Sequence, residues 1–171
     1  MRMIRWQLAG TFPDEPKFVL LIAPHTSNWD FVVAASAKVS LGINGTWIGK
    51  NSLFRWPLGR LMRYLGGIPV DRNSPHGVVR QIVDTFASRE KMVFALTPEG
   101  TRRRVEHWRS GYWHVAHDAR VPIVPVGLDY AMRIVFIGPA LSTSESLEDD
   151  ERRLRAFFAG VKPRWPENYV K

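Results

Sequence analysis

The sequence predicts an α/β fold: a single-domain sandwich in which a central, mostly parallel sheet is flanked by helices. Three observations carry this reading. The largely apolar runs Phe18–Ala23, Met92–Thr97 and Val121–Val126 have the length and β-former content of strands buried on both faces. Segments with apolar residues at helical spacing alternate with them. The chain has 171 residues, 45% of them hydrophobic, which is enough for one substantial core and too little for two comfortable ones. The expected domain spans 1–171, with its core in 18–138 and a last helix at about 147–160.

Taken in order, residues 1–17 read as a short irregular or helical lead-in, set apart by Pro13 and Pro16. The strand Phe18–Ala23 stops at Pro24. Thr26, Ser27 and Asn28 then offer caps for a helix that runs to about Leu41, where Gly42 and Asn44-Gly45 end it. Thr46–Gly49 reads as a short strand delivering Lys50. In Asn51–Asp71, a helix begun by Pro57 puts Leu58, Leu61, Met62 and Leu65 on one face and Arg60 and Arg63 on the other. Such an element packs on a sheet as an ordinary surface helix, or lies on a membrane interface with Phe54, Arg55 and Trp56 at its entrance. Gly66-Gly67 stops it, and Ile68-Pro-Val70 leads to Asp71-Arg72.

Ser74-Pro75 starts a crossover helix with the stripe Val78, Val79, Ile82, Val83 and Phe86, ending near Ser88. The strand Met92–Thr97 opens into Pro98-Glu99-Gly100-Thr101-Arg102-Arg103-Arg104. A helix from Ser110 or Gly111 to about Ala119 follows, then strands at Val121–Val126 and Arg133–Ile137. Ser142–Ser146 is a polar linker with a capping pattern, Ser144 ahead of Leu147. The acidic first turn at Glu148, Asp149 and Asp150 suits a helix N-terminus.

Chemistry gathers after the strands. In parallel sheets ligands bind beyond the carboxyl ends, and His25, Lys50, Arg72 and Glu99–Arg102 all follow strand-like runs. His25 and Asp30 stand five positions apart across a tight turn. A carboxylate that accepts one ring N–H fixes the tautomer of a histidine and stabilises the imidazolium, so the pair can deprotonate a hydroxyl. The spacing alone also fits a histidine bonded to backbone and an aspartate that caps a helix. Arg102 suits forked bonding to phosphate, and Glu99 suits a substrate hydroxyl or an arginine. The run Arg102–Arg104 by itself fits solvated charge equally well. The four histidines at 76, 107, 114 and 117 have no convincing ligand spacing, so no metal site is expected.

Four blocks stand in order: His25-x4-Asp30; Gly67-Ile-Pro-Val-Asp71-Arg72; Pro98-Glu99-Gly100-Thr101-Arg102; and Val121-Pro-Ile-Val-Pro-Val126. Together they resemble the glycerolipid acyltransferase family, whose best-known members are 1-acylglycerol-3-phosphate acyltransferases. The resemblance covers residues 18–128 and implies a glycerol-3-phosphate acyltransferase-like fold. It implies transfer of a fatty acyl group from acyl-CoA or acyl carrier protein to a lysolipid hydroxyl, with no cofactor and no acyl-enzyme. By the same resemblance His25 is the general base, Asp30 orients it, Glu99, Gly100, Thr101 and Arg102 hold the acceptor, Arg72 helps hold its phosphate, and Lys50 serves the acyl or oxyanion region. The block at 121–126 shapes the sheet and the acyl pocket.

The net charge is +8, and the whole excess lies ahead of residue 145. Such a surface attracts phosphate in lipid, substrate or nucleic acid. Nucleic acid is not the expected partner, because there is no reader motif and the basic residues follow strand ends instead of tiling a helix. The expected partners are an acyl thioester, a lysolipid and an anionic membrane surface. The sequence has no cysteine, which rules out disulfides and thiolate nucleophiles. With no signal-peptide core in residues 1–10 and no apolar run of the roughly 18–20 residues that span a bilayer, the expected location is cytoplasmic, peripheral on the inner face of the membrane. Two alternatives share these residues: the same chemistry on another lysolipid or hydroxylated amphiphile, and a non-catalytic basic membrane-binding module.

Overall fold

Alternation of side chains across a strand gives a buried strand two apolar faces, and the central strands here use both. The computed structural model describes residues 6–43, 45–70 and 75–170. Along β2 (Lys17–Ala23), Val19, Leu21 and Ala23 face one core while Phe18, Leu20 and Ile22 face the other. The first core is closed by α3 (Pro75–Ser88), α4 (Gly111–Ala119) and α5 (Leu147–Phe158), through Ile82, Phe86, Tyr112, Val115, Leu154 and Phe158. The second is closed by Val33 of α1 (Asn28–Ser40) and by Trp6, Leu8 and Phe12.

Seven strands form one sheet in the order β1-β7-β6-β2-β5-β3-β4. The remaining strands are β1 (Gln7–Ala9), β3 (Gly45–Lys50), β4 (Gly67–Val70), β5 (Met92–Leu96), β6 (Ile123–Asp129) and β7 (Ile134–Ile137). Every pairing is parallel except β6 with β7. The parallel neighbours β6, β2 and β5 therefore end side by side, on the edge where chemistry is expected.

Three local expectations shift. The lead-in contributes a three-residue strand, β1, laid beside β7. The amphipathic segment opens with a 3₁₀ turn at Asn51–Phe54, and its helix, α2 (Gly59–Tyr64), begins two residues later than Pro57. Gly59 sits so close to Phe54 that a Cβ there would lie 2.1 Å from the Phe54 carbonyl oxygen. The cap of α5 is Ser146, whose hydroxyl accepts from Asp149 N at 3.2 Å, while Ser144 donates its N–H to Asp150 at 2.6 Å. Trp108 and Trp113, set in a basic stretch, are core residues. Trp108 packs edge-on against Tyr112 and Phe158, and Trp113 donates its indole N–H to buried Asp150 at 2.9 Å.

Candidate active site

The turn between β2 and α1 is built around one carboxylate. Ser27 is the N-cap of α1 and Asp30 its third residue, and the two form a reciprocal capping box. Asp30 Oδ2 accepts the backbone N–H groups of Thr26 and Ser27, both at 2.8 Å, and His25 Nδ1 at 3.1 Å. Oδ1 accepts the phenol of Tyr130 at 2.6 Å. Burial raises the pKa of Asp30, but the bonds from His25, Tyr130 and Ser27 outweigh it and hold the carboxyl below its ordinary value. Burial, together with the bond to Asp30 and its charge, pushes the phenol of Tyr130 up, so that it stays a donor.

With Nδ1 committed to a carboxylate, the imidazole carries its proton there and leaves Nε2 as the base. The His25 side chain is 19% exposed while that of Asp30 is 3% exposed, so the base is reachable and its anchor is not.

Beyond β5, Glu99 is buried and accepts His25 N at 3.1 Å through Oε1. Among the described residues it forms no ion pair, and its Oε2 is buried with no hydrogen-bond partner. Glu99 thus faces inward and clamps the catalytic turn, instead of reaching an arginine. Burial raises its pKa despite the bonds from its own N–H and that of His25. Gly100 has φ +64, a left-handed conformation that favours glycine, whereas the nearest obstacle to a Cβ there is only the exposed, movable Arg109 side chain at 2.9 Å. The reversal turns Thr101 and Arg102 outward. They line a cleft of about 450 Å³ with Arg103, and its other wall is the turn residues 26–29.

Of the expected site residues, the fold joins His25, Asp30 and Glu99 directly and sets Gly100, Thr101 and Arg102 beside them. Lys50 ends β3, opposite Val70, on the same sheet edge but beyond β5. Arg72 lies outside the described residues. Tyr130 was not expected, although it follows the carboxyl end of β6, where the same positional rule points. Arg164 also lines the cleft, and sequence reading passed it over. Among the described residues no three His, Asp or Glu side chains are grouped so as to hold a metal ion.

A buried carboxylate with a tautomer-fixed histidine can take a proton from a hydroxyl, and the cationic cleft beside them can hold an anion. Residues 10–129 match the acyltransferase family model, and the chain belongs to the acyltransferase family. It is 30% identical over 161 residues to the 1-acyl-sn-glycerol-3-phosphate acyltransferase of Escherichia coli, covering 83% of this chain and 64% of that one. With the Salmonella typhimurium enzyme of the same name the identity is 31% over 156 residues, or 80% and 62% of the two chains. The chain thus spans less than two thirds of the length of these relatives. The crystal structure of the 1-acyl-sn-glycerophosphate acyltransferase PlsC from Thermotoga maritima superposes with a TM-score of 0.64 at 18% identity, covering 89% of this chain and 69% of that one, and shows the same fold.

Proposed function

We propose that the protein is an O-acyltransferase that moves a fatty acyl group from an acyl thioester, acyl-CoA or acyl carrier protein, to the free hydroxyl of 1-acylglycerol-3-phosphate. The observation that carries this reading is the anchoring of Asp30 by four donors, one of them His25 Nδ1. A helix cap needs two such bonds; the histidine and the tyrosine are extra, and they serve a base. The names of the relatives support the acceptor.

In this scheme His25 Nε2 removes the proton of the acceptor hydroxyl as its oxygen attacks the thioester carbonyl. Asp30 balances the imidazolium. Collapse of the tetrahedral intermediate breaks the C–S bond, and the proton on His25 passes to the departing thiolate. The products are an ester and a free thiol, and no group beyond the two substrates takes part. Arg102 and Arg103 line the cleft and hold the acceptor phosphate, and the family resemblance adds Arg72 to the phosphate and Lys50 to the acyl end.

The 3₁₀ turn and α2 present Leu53, Trp56, Leu58, Leu61 and Tyr64 to solvent among exposed Arg55, Arg60 and Arg63. Trp56 is 93% exposed and Tyr64 87%. This mixture suits the interface of an anionic bilayer, and we assign it to peripheral attachment on the inner face of the membrane. No helix among the described residues is long and apolar enough to cross a membrane.

The test is to incubate the purified protein with 1-oleoylglycerol 3-phosphate and either palmitoyl-CoA or palmitoyl-acyl carrier protein, and to follow phosphatidic acid by mass spectrometry. Product with one donor supports the reading and identifies the donor. No product with either, while a monoacylglycerol or another lysolipid is acylated, would replace the acceptor and keep the chemistry.

A further inference from the structure

The segment after α5 returns to the active-site edge and is fastened there. Tyr130 N donates to Lys162 O at 2.8 Å, Lys162 N to buried Asp129 at 3.0 Å, and Trp165 N to Thr26 Oγ1 at 3.3 Å. Its two anchors are thus the end of β6 and the catalytic turn itself. Between them stands Arg164, with its guanidinium carbon 5.3 Å from the ring centre of Trp29, 5.8 Å from that of Tyr130 and 5.5 Å from that of Trp165. Three aromatic rings hold the cation, and only the Tyr130 phenol oxygen draws on its N–H donors among the described residues, which leaves the others over.

Those donors need an acceptor. Among the described residues Arg164 has no carboxylate within ion-pair distance. It lines the same cleft as Arg102 and Arg103, and no Asp or Glu is among the lining residues. Three guanidinium groups facing one cavity with no counter-charge repel one another, and a bound dianion removes that repulsion. Asn28 and Thr101 line the cleft too and add neutral donors.

We propose that Arg164 is a binding residue for the acceptor's phosphomonoester, so that the C-terminal segment, outside the matched family region, completes the head-group site and selects phosphorylated acceptors. The inference rests on the acyltransferase reading for the identity of the acceptor. It rests on the cleft alone for the phosphate. Trp29 and Trp165 fix the arginine before the ligand arrives, which lowers the entropic cost of forming a forked bond.

The test is titration calorimetry of the 171-residue chain with sn-glycerol 3-phosphate, alongside acyl-transfer kinetics. Arg164→Gln removes the charge, and Arg164→Met keeps an unbranched stem on the rings if the first variant is destabilised. Arg152→Gln, on the outer face of α5 where Arg152 pairs with Asp149, is the control. Loss of one charge-assisted phosphate contact predicts about tenfold weaker glycerol 3-phosphate binding and a similar rise in the KM for the lysophospholipid. The KM for the thioester and turnover of a monoacylglycerol should stay as in the wild type. Unchanged glycerol 3-phosphate affinity in a folded Arg164 variant would overturn the assignment, as would failure of the wild type to bind it at millimolar concentration. Arg164-dependent binding by a protein that transfers no acyl group would leave the phosphate site standing and remove the acyltransferase reading.

Discussion

Asp30 is under two opposed influences, burial favouring its protonated form and four donors favouring its charge, and the donors prevail. Its folded pKa lies below the ordinary 3.8, so its ionised form stabilises the fold above the unfolded-chain value, and that contribution is lost as pH falls through the folded value. Asp30→Asn should accordingly cost about 2 kcal/mol in urea unfolding at pH 7 and almost nothing at pH 2; an equal cost at both would show that the charge is not what matters. Tyr130 supplies the shortest of the four bonds and is not among the residues lining the cleft, which makes it a positioning residue acting through Asp30. Tyr130→Phe is expected to lower kcat about tenfold, the worth of one hydrogen bond to a charged group, while the acceptor KM is held; kcat within twofold of wild type would contradict this. The meeting of His25 with Asp30 and the placing of Glu99–Arg102 on the same sheet edge were legible because each set is local in the chain and follows a strand. Tyr130 and Arg164 were not, since nothing near them in sequence is chemical. Tyr130 lies 100 positions from the carboxylate it holds, and Trp165 lies 139 from the threonine it meets.

Among the elements, α2 and its preceding turn depart most from the ordinary surface helix. Leu58 and Leu61, on the face expected to pack, are about half exposed, and Trp56 is almost wholly so. An apolar face left open beside three arginines has no account in terms of stability. Replacing Trp56 and Leu61 together by serine should leave the thermal midpoint unchanged. The same change should weaken partition onto phosphatidylglycerol vesicles on the order of tenfold, given the apolar area withdrawn; unchanged partition would move the membrane contact elsewhere on the surface. The helices with strong stripes, α3 and α5, were readable from periodicity. The two tryptophans at 108 and 113 were not, because arginines and histidines around them hide a core position: Arg155 stacks on Trp108 at 4.4 Å and keeps its charge outside.

For the whole molecule, strand order decides what the residues can do. With β2 between β6 and β5, the three carboxyl ends bring Tyr130, His25 and Glu99 to one point, and a different order would scatter them. The parallel centre was legible from its continuous apolar runs. At the edge, β7 was readable as a strand at Arg133–Ile137, but its reversed direction and the three-residue β1 left no pattern in the sequence. The catalytic proposal depends on one claim, that His25 is the base for acyl transfer to a hydroxyl. The direct measurement is release of free thiol from palmitoyl-CoA or palmitoyl-acyl carrier protein, with and without 1-oleoylglycerol 3-phosphate, for the wild type and a His25→Ala variant of equal thermal midpoint. Acceptor-dependent release in the wild type and a loss of at least about a thousandfold in the variant are expected. Equal release by both proteins would contradict the claim.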